Sequence, residues 1–149
     1  MIACISTSLS CNESTFWSII SRPSSLQYVS LPVLRFVPFE SGIFDDEWVV
    51  GKPYELKLYL FCIIPLGRHR IRLVKLDKKT NTIMSEESGL LAPVWHHTIS
   101  FKQTGEKRIA YTDLIEIKAG LLTPVIWAFA HLFYRHRQKR WKLLLKQAA

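Results

Sequence analysis

Thr123–Gln147 reads TPVIWAFAHLFYRHRQKRWKLLLKQ, and the fold turns on how that stretch is read. No Gly or Pro follows Pro124 within it, so the stretch predicts one long C-terminal helix. Thr123 is placed as the N-cap, its hydroxyl accepting from first-turn N–H groups. Pro124 then falls at the first helical position, where a missing N–H costs nothing. At about 100° per residue, Val125, Phe129, Leu132, Phe133, Leu143 and Leu144 share one side. His131, Arg135, Lys139, Lys142 and Lys146 fall on the other. The cations gather in the second half, where they offset the helix dipole.

Other uses of such a segment fit less well. The apolar run Leu121–Phe133 is shorter than the roughly 20 residues a bilayer needs, and it contains His131. The basic face of Arg135, Lys139, Lys142 and Lys146 would suit peripheral contact with a membrane, but an ordinary solvated face looks the same. A helix packed on a sheet is therefore the expectation. His136 and Arg140 depart from the pattern, since both project from the apolar side. Either the helix end overhangs the sheet and Arg140 reaches water, or both side chains point into a cavity mouth and meet the acidic or polar head of an otherwise apolar ligand.

A chain of 149 residues reads as one domain, 1–149. With 48% hydrophobic and 12% aromatic residues it can bury a core and is not a disordered segment. Its formal charge of +8 is uneven, because Arg135–Lys146 carries six Lys and Arg and no acid. The remainder is only mildly basic, which argues against general nucleic-acid binding. A base-stacking platform would interleave aromatics with exposed basic residues, and only Trp141 sits that way. Cys4, Cys11 and Cys62 are odd in number and lack metal-ligand spacing, as suits free thiols in a reducing compartment. Met1–Cys11 has no basic start and is dotted with Ser and Thr, so it does not read as an export signal. Cytoplasmic location is the resulting expectation.

Taken in order, Met1–Leu9 predicts a strand. A short helix capped by Asn12 or Ser14 runs through Ile20, and a second helical turn covers Ser24–Val29. Val33–Phe39 alternates and reads as an edge strand, because Pro38 lies within it. Glu40–Val50 is a loop. Alternation then marks Tyr54–Ile64, a turn at Pro65-Leu66-Gly67, and strands over Arg68–Leu76, Thr82–Glu87, Ala92–Lys102 and Arg108–Lys118. Such alternation is typical of antiparallel strands with one dry face.

The sum is an α+β chain: a strand, two short helices, about six strands in sequential hairpins, and one long helix across the concave face. This order resembles the helix-grip fold of the START and Bet v 1-like proteins, the SRPBCC superfamily, and one of its small bacterial branches in particular. The residues that carry the likeness are Phe16-Trp17 with Arg22-Pro23, Ile64-Pro65-Leu66-Gly67-Arg68-His69, Ser85-Glu86-Glu87-Ser88-Gly89, Trp95-His96-His97, Tyr111-Thr112-Asp113 and the run Phe133 to Trp141. The resemblance implies a cavity between sheet and long helix that takes a hydrophobic small molecule such as a lipid, polyketide or quinone. A minority of the superfamily are enzymes of the cyclase or hydrolase kind.

By alternation His69, Trp95, His97, Tyr111 and Asp113 share inward faces with large apolar residues, and Phe129 and Phe133 look at them from the helix. With His136 and Arg140 they form the expected ligand-binding set. A His/Tyr/Asp cluster could orient a ligand or exchange protons with it, or His97 could simply satisfy Asp113 inside the core. A metal site is not expected, because His69, His97 and Asp113 are scattered rather than spaced as a ligand motif. No cofactor is expected, since neither a phosphate loop nor a dinucleotide fingerprint is present.

Overall fold

The computed structural model describes residues 1–148. Seven strands form one antiparallel sheet: β1 (Ile2–Leu9), β2 (Leu34–Pro38), β3 (Pro53–Leu60), β4 (Ile64–Asp77), β5 (Thr82–Gly89), β6 (Val94–Gly105) and β7 (Arg108–Lys118), in the spatial order β1-β7-β6-β5-β4-β3-β2. Helices α1 (Glu13–Ile20) and α2 (Pro23–Ser30) join the two edge strands. After β7 a 3-10 turn at Gly120–Leu122 leads into α3 (Thr123–Ala148). The result is a curved sheet gripping one long helix, the α+β helix-grip arrangement.

Local chemistry accounts for most of these elements. The Asn12 side chain caps α1 by accepting from the Thr15 N–H at 2.8 Å. Pro23 opens α2, where its fixed φ suits the first turn. β2 carries Pro38 and is an edge strand, so the missing N–H takes no bond from a neighbour. β7 alternates buried and outward residues along its length, from Ile109 and Tyr111 to Ile115 and Ile117. Each such fully buried side chain contributes about 1.5–3 kcal/mol of transfer free energy.

Three local expectations are corrected. The turn after β3 lies at Phe61–Ile63, before Pro65, because Phe61 and Cys62 take positive φ (52° and 66°). Pro65 and Gly67 instead lie within β4. Leu58 pairs with Gly67 and Tyr59 with Pro65, so Leu66 is the extra residue of a bulge. Thr123 does not cap forward: its hydroxyl donates to the Gly120 carbonyl at 2.7 Å and accepts from the Ala119 N–H at 2.9 Å, closing the turn behind it.

The third correction concerns the face of α3. Its buried stripe is Ala130, Phe133, Tyr134, Arg137, Gln138, Trp141 and Leu145. Val125, Leu132 and Leu143 are exposed, Phe129 and Leu144 half-buried. The true stripe runs through Arg137 and Gln138, which amphipathic logic assigns to water. Gln138 tolerates burial because its amide donates to the Ile5 carbonyl at 2.8 Å and to Asp113 at 3.0 Å. Trp141 is likewise not on an exposed basic face; it is 1% exposed and packs edge-on against Phe16. Arg135, Lys139, Lys142 and Lys146 are exposed as expected. Among the described residues no helix is long and apolar enough to cross a membrane.

Candidate functional site

Between the sheet and the first half of α3 lies a cavity of ≈ 230 Å³. Leu34, Phe36, Leu58 and Leu60 wall it from β2 and β3, and Trp95 from β6. α3 contributes Val125, Ile126, Phe129 and Phe133. Leu90, Leu91 and Val125 line it and are also exposed, so the mouth opens between the β5–β6 loop and the start of α3. Four titratable side chains line this wall: His69, Glu87, Tyr134 and Arg137. Beneath it a smaller cavity of ≈ 50 Å³ shares Glu87 and Arg137 and adds Ser85 and His97.

Strand register assembles the polar groups. β4, β5 and β6 each turn one titratable residue inward and β7 turns two, Tyr111 and Asp113; His69, Glu87, His97 and Asp113 form a diagonal across the sheet. His69 donates through Nε2 to Glu87 Oε1 at 2.9 Å, and the Ser85 hydroxyl donates to Glu87 Oε2 at 2.8 Å. His97 Nδ1 lies 4.0 Å from Glu87 Oε2, while its Nε2 donates to Asp113 Oδ1 at 2.7 Å. Asp113 also accepts from the Tyr111 hydroxyl at 2.8 Å and from Gln138 at 3.0 Å.

Burial pushes the Asp113 carboxyl up, but the hydrogen bond and field of His97, with Arg137 and Gln138, outweigh it and hold the group below the usual carboxylate range. Burial likewise works against the charged form of Glu87, and the bond and field of His69 prevail, so this carboxyl too is depressed. Burial, then the Asp113 charge, pushes the Tyr111 phenol well up. Burial alone would lower Arg137, but the surrounding field of Tyr134, Asp113, Tyr111 and Glu87 raises it, so the guanidinium stays charged.

The sequence profile described as "Domain of unknown function (DUF8410)" matches residues 7–144. The chain belongs to this family. Among curated proteins, no sequence matches the DUF8410 chain. Solved structures do resemble it. A START superfamily protein from Mycobacterium smegmatis superimposes with a TM-score of 0.72 at 14% identity, over 99% of each chain. Protein Ms6760 from the same organism gives 0.75 at 12% identity, over 99% of this chain and 92% of its own. Protein CV1439 from Chromobacterium violaceum gives 0.72 at 14%, over 97% and 96%. The DUF8410 fold is therefore START-like.

The site residues named from sequence divide into three groups. His69, Trp95, Phe129 and Phe133 line the main cavity. His97 faces only the smaller one, and Tyr111 and Asp113 lie in the network beyond the main wall. His136 and Arg140 do not line the cavity, and both lie half-buried against α2. His136 Nε2 donates to the Leu31 carbonyl at 2.8 Å, and Arg140 Nε to the Tyr28 carbonyl at 3.1 Å, with its guanidinium 4.1 Å above the Tyr28 ring. The physical reason is α2: its unpaired C-terminal carbonyls need donors, and these two side chains supply them. Tyr134 and Arg137 were the residues missed. Their signal was present, since both sit in the 3–4 spacing of the stripe from Ala130 to Leu145. Among the described residues, no three His, Cys, Asp or Glu side chains gather as metal ligands.

Proposed function

We propose that this chain binds or carries a small hydrophobic molecule in the cavity between sheet and α3, as a START/Bet v 1-like member of the SRPBCC superfamily. The observation that carries the reading is the cavity itself, walled by Leu, Phe and Trp with few polar atoms, and opening past Leu90, Leu91 and Val125. Its ≈ 230 Å³ lies below the roughly 300–1,000 Å³ common for drug-sized ligands. The lipid, polyketide or quinone-like ligand is therefore at the small end of its class, or leaves part of itself in the mouth. The exposed cations Arg135, Lys139, Lys142 and Lys146 suit a carrier that touches anionic membrane while exchanging cargo. The free thiols Cys4, Cys11 and Cys62 fit a cytoplasmic setting.

A cyclase or hydrolase would need its acid and base at the cavity wall. Of the His/Tyr/Asp cluster only His69 is there. His97, Tyr111 and Asp113 lie behind the wall, and His69 is hydrogen-bonded to Glu87, so binding in the apolar cavity is the reading put forward. Two experiments test it. Native mass spectrometry of protein from its own host should reveal a co-purifying small molecule. Calorimetry with octanol should give saturable binding that Leu58→Trp, which fills the cavity, abolishes while the fold persists. Equal binding by the filled variant would overturn the assignment of the site.

A further inference from the structure

The cavity is greasy at its mouth and walls, but a charge sits at its inner end. Arg137 is 5% exposed and lines both the main cavity and the smaller one beneath. Its Nε has no hydrogen-bond partner, and no carboxylate forms an ion pair with it among the described residues. Its guanidinium lies 5.0 Å from the Tyr134 ring centroid and 5.8 Å from that of Phe133, contacts that orient the fork without satisfying its N–H groups.

The neighbouring carboxylates are turned to other donors. Glu87 takes His69 and Ser85, and Asp113 takes His97, Tyr111 and Gln138. The Tyr134 hydroxyl accepts from Trp95 Nε1 at 2.9 Å, which leaves its own O–H to give. The inner end therefore holds unspent donors on Arg137 and Tyr134, one helical turn apart, and neither carboxylate hydrogen-bonds the guanidinium. The field of Glu87 and Asp113 offsets the guanidinium's charge but satisfies none of its N–H groups, and burying them is unfavourable until something supplies acceptors. Two coplanar oxygens suit the fork best.

We infer that the cavity takes a small amphipathic carboxylic acid, its carboxylate held by Arg137 and the Tyr134 hydroxyl and its apolar body lying toward Leu34, Leu58 and Phe129. The inference rests on the hydrophobic-ligand reading and narrows it. It moves to Arg137 the anion-holding role that the sequence suggested for Arg140.

Calorimetry on the full chain with octanoate and octanol tests it. Octanoate should bind about 10- to 100-fold more tightly than octanol, the factor a hydrogen-bonded charge contributes. Arg137→Met should erase that preference and leave octanol within a few-fold. Tyr134→Phe should lower it in part. Arg140→Met, on the α2 side, should leave it intact. If Arg137→Met does not fold, Arg137→Lys keeps the charge without the fork and must still reduce the preference. Octanol bound as tightly as octanoate by the wild type, or a preference that survives loss of the Arg137 guanidinium, would overturn the acid head while the apolar cavity stands. Failure of both probes would overturn the hydrophobic-ligand reading and this inference with it.

Discussion

Replacing Asp113 by Ala puts the buried network to its sharpest test. Asp113 is 0% exposed and accepts three hydrogen bonds, from His97 at 2.7 Å, Tyr111 at 2.8 Å and Gln138 at 3.0 Å. The Ala variant strands those three donors. At about 1–3 kcal/mol for each, the sum would be roughly 3–9 kcal/mol. Three effects reduce it. Gln138 keeps the Ile5 carbonyl, the space left by the carboxyl is polar enough to hold a water, and the cost of burying the carboxylate itself is recovered. The expected loss is about 3–5 kcal/mol, against about 5–15 kcal/mol for a whole domain. Urea unfolding followed by far-ultraviolet circular dichroism measures it. Asp113→Asn is the control: it keeps Oδ1 for His97 and Tyr111 but turns an amide N–H₂ toward Gln138, so about 1–3 kcal/mol is expected. A loss under about 1 kcal/mol for the Ala variant would refute the reasoning. So would an Asn variant as damaging as the Ala one, since the count of acceptors would then be irrelevant.

Three further outcomes are expected. Phe129→Ala should cost about 1–2 kcal/mol in urea, below the 3–5 kcal/mol usual for a fully buried Phe, because Phe129 is only half-buried at the cavity wall. Asp113 and Glu87 both sit below their unfolded pKa, so the unfolded state binds more protons across that window. Stability is then full above the ordinary carboxylate range and is lost as pH falls, and melting temperature should drop below pH about 5, less steeply in Glu87→Gln. A Cβ on Gly89 would stand 2.9 Å from His69 Nδ1, so Gly89→Ala should turn the imidazole off Glu87 at a cost of about 1–3 kcal/mol, seen in urea and in the His69 ring resonances.

Much of the fold was legible in the sequence because alternation is a local signal. β7 is found at Arg108–Lys118 as predicted, since every second residue from Ile109 to Ile117 is apolar or joins the buried network. The turn at Phe61–Ile63 was not legible, because two non-glycine residues carry the left-handed conformation there. The inward residues of the site could be named but not grouped. Whether His97 meets Asp113 depends on register, which sets Ile99 opposite Asp113, and no local pattern reveals that offset. Arg137 and Gln138 keep the spacing of the stripe, but their chemistry masks it. A charged or amide side chain is assigned outward unless its surroundings are known: Gln138 is satisfied by Ile5 in β1 and Asp113 in β7, far along the chain, and Arg137 faces the cavities.

The sheet order sets a timetable for synthesis. β1 pairs with β7, joining Ile2 to Glu116 and Leu9 to Ile109, and α3 follows later still. At a ribosomal rate of about 5–20 residues per second, the first strand emerges roughly 5–20 s before the strand that completes its ladder. During that interval its inward side chains Ala3, Ile5 and Leu9 have neither sheet partner nor covering helix. The hairpins β3 to β7 are local and can form as they appear, whereas the outermost join waits for nearly the whole chain. Slow codons placed after β7 would give that join time to close, and a nascent chain stalled before β7 should be captured by a holding chaperone through its first strand.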